Sequence, residues 1–137
     1  MQIAKMNRWL IVAVFLVPAL LLADSPPGRL KVGYDSWSPT DCKALVRGNA
    51  AACETKDCKA LIRNDAAACS TGNCKAVIKH DASLCETVGC KAMVHGDAGY
   101  CPTGGGDCRA YVEESDQYCR TSTCKAILHR DAERCDP

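Results

Sequence analysis

The sequence predicts an all-α fold: six short helical hairpins, stapled by disulfides and stacked as a small α-solenoid. Three observations predict it. All 12 cysteines fall in one array between residues 42 and 135. The array repeats one unit six times at a 16-residue period, opening on Cys42, Cys58, Cys74, Cys90, Cys108 and Cys124. Within each unit, the opening Cys and the apolar residues three and four positions on (Leu45-Val46, Leu61-Ile62, Tyr111-Val112) lie on one helix face.

The first element of each copy runs from the opening Cys through a basic residue, an Ala and two apolar residues. The residues before the opening cysteines are Asp41, Asp57, Asn73, Gly89, Asp107 and Thr123, types that cap helix N-termini. A helix of about seven residues is therefore expected to start there. Seven positions in, the same types return as Asn49, Asp65, Asp81, Asp97, Ser115 and Asp131. In most copies an Ala follows, which marks a second helix of about five residues. Helices this short do not persist alone, because nucleation outweighs the bonds they gain. Disulfides and neighbouring copies must hold them.

The closing cysteines are Cys53, Cys69, Cys85, Cys101, Cys119 and Cys135. Two pairing frames are simple. Pairing within copies (42–53, 58–69, 74–85, 90–101, 108–119, 124–135) uses every cysteine and keeps the loop length constant. Pairing between copies (53–58, 69–74, 85–90, 101–108, 119–124) strands Cys42 and Cys135 at the two ends. The within-copy frame is the expectation, although spacing alone does not fix connectivity. Stacked copies would then form a rod. Leu84, Met93, Tyr100, Tyr111 and Tyr118 are expected to thicken the core of copies three to five. The insert Gly104-Gly105-Gly106 is expected to kink or break the stack.

Residues 1–23 read as a secretory signal peptide, with Lys5 and Arg8 before an uncharged run from Trp9 to Ala23. That run is shorter than the about 20 residues a membrane span needs, so the mature chain has no transmembrane segment. Residues 24–41 form an extended lead-in containing Pro and Gly, with Tyr34 and Trp37 expected to cover the first copy. A periplasmic or secreted location agrees with the cysteine content, because disulfides persist in oxidising compartments. The full chain carries 17 Lys+Arg against 16 Asp+Glu, and losing Lys5 and Arg8 leaves a net charge of −1. That balance argues against nucleic acid as a partner.

No catalytic constellation and no cofactor motif emerges. The expectation is a non-enzymatic scaffold or binding module. Of the three histidines, His95 and His129 occupy a column that elsewhere holds Arg47, Arg63, Lys79 and Glu113, which describes a surface position. The basic columns one and five residues into each helix bring together Lys43, Arg47, Lys59, Arg63, Lys75, Lys79, Lys91, Arg109 and Lys125. With His95 and His129 they form a stripe suited to a protein or an anionic surface. Thr55, Thr71, Thr87, Thr103 and Thr121 form a further column whose hydroxyls are expected to bond the backbone of the linkers. The alternative function is copper or zinc sequestration by free thiolates. No Cys-x-x-Cys supports it, and no metal ligand is assigned. A third reading is a protease-resistant inhibitor or effector built on the same staples.

Overall fold

The computed structural model describes residues 36–136. The expected signal peptide and the expected lead-in up to residue 35, Tyr34 included, lie outside the described residues. Every regular element among those described is helical. Six α-helices, α1 (Pro39–Arg47), α2 (Lys56–Arg63), α3 (Gly72–Lys79), α4 (Val88–His95), α5 (Gly106–Glu113) and α6 (Ser122–His129), alternate with six 3-10 turns. The second element of a copy is thus one turn of three or four residues and not a five-residue helix.

Capping chemistry explains the boundaries. The threonine column starts the helices: Thr55, Thr71, Thr87 and Thr121 accept a hydrogen bond from the opening-Cys backbone N–H of their helix at 3.1–3.2 Å. Ser38 does the same for α1 through the Asp41 N–H. The caps therefore sit three residues before the opening Cys in copies two to six and four before it in copy one, two or three earlier than the sequence suggests. Thr103 is not among them, because the glycine insert moves the α5 cap to Gly105. Each α-helix stops on a left-handed residue: Gly48, Asn64, His80, Gly96, Glu114 or Arg130. The second cap column behaves as expected. Asn49, Asp65, Asp81, Asp97 and Asp131 each accept from the backbone two residues on, while Ser115 caps without its side chain.

The stack of helical repeats is as predicted, but it is not an open rod. Each helix packs on the next, and α1 packs on α6 and on the last 3-10 turn, so the six copies close into a ring. The disulfides follow the between-copy frame: Cys53–Cys58, Cys69–Cys74, Cys85–Cys90, Cys101–Cys108 and Cys119–Cys124. This corrects the within-copy expectation. A single 3-10 turn is too short to carry the chain back to its own opening Cys, so the closing Cys arrives at the start of the next copy. The two cysteines that this frame would strand in a rod meet in the ring, as Cys42–Cys135 with Cα atoms 5.7 Å apart. No cysteine is free.

The core is made by the column three residues after each opening Cys. Leu45, Met93 and Ile127 are buried, and Leu61 and Tyr111 pack beside them. Tyr111 joins both the cluster of copies one, two and six and that of copies four and five. Burial, with a smaller contribution from Asp107, pushes its phenol above the usual tyrosine range. The Cys and Ala columns complete the interior, since a small residue lets adjacent helices approach closely. Met93 and Tyr111 thicken the core as expected. Tyr100 does not, and stands at the surface. The glycine insert does not break the stack. It folds into a turn (Gly105 N–H to Pro102 O, 2.8 Å), and α5 packs on α4 and α6 like any other helix.

Candidate functional surface

Two polar systems remain once the core is assigned. The first is internal. Asp41, only 1% exposed, accepts from the Glu54 N–H (2.7 Å), the Thr55 N–H (3.4 Å) and the Thr55 hydroxyl (2.6 Å). Asp57 makes the same reach to Ser70 and Thr71, Asn73 to Glu86 and Thr87, and Asp107 to Arg120 and Thr121. These residues are clamps that fix each linker to the preceding helix. The remaining members of the column are Gly89, opposite the enlarged linker, and Thr123, in the copy where the ring closes. The clamp side chain is absent at the two junctions where the linker differs.

Burial works against the charge of Asp57, but hydrogen bonds from the Thr71 and Ser70 side chains and their backbone outweigh it. The carboxyl is held below its ordinary value of 3.8. A carboxyl lowered by folding stabilises the fold above its unfolded value, and that contribution disappears as pH falls through the folded value. Asp57→Asn is therefore expected to lower the guanidinium midpoint at pH 6 and to have much less effect at pH 2. Equal losses at both pH values would remove the charge from the explanation.

The clamps also bear on metal binding. Three of them approach a cysteine pair, as Asp41/Cys53/Cys58, Asp57/Cys69/Cys74 and Asp107/Cys119/Cys124, with one potential ligand atom from each residue within 4.8 Å of the others. In each trio the two sulfurs are bonded to one another. The thiolate is the metal ligand, so these trios could take a soft cation only after reduction.

The second polar system is the basic stripe. Ring geometry divides it. In copy one, Lys43 pairs with Asp136 at 2.8 Å and Arg47 with Glu133 at 3.3 Å, both across the closure. In copy five, Arg109 pairs with Glu113 at 2.6 Å and lies 4.3 Å from the Tyr118 ring centre. In copy six, His129 faces Asp116 at 2.9 Å. Copies two to four are different. Lys59, Arg63, Lys75, Lys79 and Lys91 make no ion pair among the described residues. Lys79 acts on the nearby Asp81 carboxyl through its charge, without an ion pair. Lys125 likewise makes no ion pair among the described residues. His95 stacks on Tyr100 with ring centres 5.1 Å apart.

The pairing of the basic columns comes partly from closure, which sets copy-six acids against copy-one bases, and partly from Arg109–Glu113 and His129–Asp116 in copies five and six. No helix among the described residues is long and apolar enough to cross a membrane. No family model, curated protein or solved structure matches the chain.

Proposed function

We propose that the protein is an exported, non-enzymatic ring scaffold that binds an anionic partner along copies two to four. The supporting observation is the contiguous group Lys59, Arg63, Lys75, Lys79 and Lys91, left unpaired where the other copies largely neutralise theirs. Six disulfides fit a rigid support. Such a ring fixes the helices that carry the cations and leaves little backbone entropy to lose on binding. An exposed cationic cluster attracts anions over a distance set by salt, about 8 Å at physiological ionic strength. Binding of a polyanion is therefore expected to weaken by at least tenfold between 50 and 300 mM salt. Lys75→Glu/Lys79→Glu is expected to weaken it similarly, while Lys43→Glu has less effect. Fluorescence anisotropy with labelled oligoglutamate measures both. Affinity that ignores salt and the Lys75/Lys79 reversal would refute the reading.

The second reading is metal sequestration, favoured by the three Asp-Cys-Cys trios. It requires the thiols to be free in the exported protein. Alkylation of unreduced protein separates the two: no uptake supports the scaffold, while uptake accompanied by bound copper or zinc supports the thiolate store.

A further inference from the structure

Copy four breaks the pattern of the stripe in a second way. Val88 is 52% exposed and Tyr100 is 46% exposed, the large hydrophobic residues most open to water among those described. They occupy matched positions. In copies three and five, the residue two before the opening Cys is a glycine packed so closely on the backbone that a Cβ on Gly72 or Gly106 would fall 2.5–2.6 Å from Leu84 O or Tyr118 O, an approach that a residue with a side chain does not repeat. In copy four those two positions are Val88 and Tyr100. Val88, Lys91 and His95 follow one another at i, i+3 and i+7, along one helix face. The Tyr100 ring stacks on His95 at the end of that face. Copy four therefore places exposed Val88 on one side of Lys91 along the helix face and the Tyr100 ring, stacked on His95, on the other, at the end of the cationic arc. No other copy has apolar residues at both positions, because the pairs elsewhere are Thr40/Ala52, Lys56/Ala68, Gly72/Leu84, Gly106/Tyr118 and Ser122/Arg134.

We infer that the arc takes an acidic polypeptide segment, with an apolar or aromatic side chain of that segment seated on Val88 or on the Tyr100 ring, on either side of Lys91. The inference rests on the reading above that the arc binds an anion, and it adds the class of partner. A uniform polyanion gains nothing from apolar surface. An acidic peptide with an aromatic side chain uses both features, the charge for attraction and the apolar seat for affinity and register. Interfaces draw their affinity from such an aromatic anchor within a charged surround.

The test uses the full, oxidised protein and anisotropy with two labelled peptides of equal glutamate count, one plain and one interspersed with phenylalanine. A sulfated oligosaccharide and anionic phospholipid vesicles serve as competitors. The phenylalanine-containing peptide is expected to bind about tenfold tighter than the plain one, as burial of one such side chain would give. Val88→Ser/Tyr100→Ser is expected to remove that difference while keeping the affinity for the plain peptide. Both substituted residues are exposed, and unchanged circular dichroism and thiol count would show that the ring is intact. Equal affinity for the two peptides, or a tenfold preference that survives Val88→Ser/Tyr100→Ser, would overturn the apolar seat and leave the cationic arc standing. Tighter binding of the oligosaccharide or the vesicles than of either peptide would overturn the polypeptide as partner. Failure of every anion to bind the unmodified protein would instead overturn the arc itself.

Discussion

Replacing Cys42 and Cys135 together by Ser is expected to destabilise the protein by about 4–5 kcal/mol, roughly twice the loss from removing any one of the other pairs. The reason lies in loop length. The closure bond spans 93 residues, while the others span five or seven. On the chain-entropy account, a cross-link over about 100 residues removes close to 5 kcal/mol of unfolded-chain entropy, and one over about six residues removes about 2. The ion pairs across the same junction, Lys43–Asp136 and Arg47–Glu133, do not compensate. Both are exposed, and such pairs contribute about 0–1 kcal/mol each. Guanidinium unfolding of the Cys42→Ser/Cys135→Ser variant beside a Cys69→Ser/Cys74→Ser variant gives the comparison. Equal losses would mean that the ends do not define the fold.

The second large effect is expected at Asp41. Asp41→Ala leaves the Glu54 N–H, the Thr55 N–H and the Thr55 hydroxyl without their acceptor at a partly buried junction. An unsatisfied buried donor costs about 1–3 kcal/mol, and allowing for partial rescue by water the loss should be about 2–4 kcal/mol. Asp41→Asn is a milder change, because copy three already carries the amide. Asn73 accepts from Glu86 N–H at 2.8 Å and Thr87 N–H at 3.3 Å, and its Nδ2 donates to the Thr87 hydroxyl at 3.3 Å. A loss of about 1 kcal/mol is expected, the difference between a charged and a neutral acceptor. Chemical unfolding of the two variants checks the order. If Asn costs as much as Ala, the clamp depends on the charge and not on the geometry of acceptance.

Much of the fold is legible in the residues. The period, the helical face and the second row of caps each follow from local spacing, and local spacing is what a repeat displays. The failures have a common physical source. Asp41 and its equivalents have the composition of caps, yet they point into the next copy, and one copy read alone gives no sign of it. The pairing of cysteines likewise depends on where the chain goes after a 3-10 turn. A five-residue second helix would return each closing Cys toward its own opening Cys, whereas a single turn does not. Closure was available as a clue, because a between-copy frame with one unpaired Cys at each end is what a ring requires. The basic columns are legible for the same reason as the period. The neutralisation of Lys43 and Arg47 is not, since Glu133 and Asp136 meet Arg47 and Lys43 only across the closure.

The connectivity of the oxidised protein, read by mass spectrometry of peptides cleaved without reduction, tests the ring most directly. A Cys42 peptide joined to the C-terminal Cys135 peptide, with Cys53–Cys58 and its equivalents as short closed loops, is the expected result. A Cys42 peptide joined to Cys53, repeated copy by copy to Cys124–Cys135, would contradict it and restore an open stack.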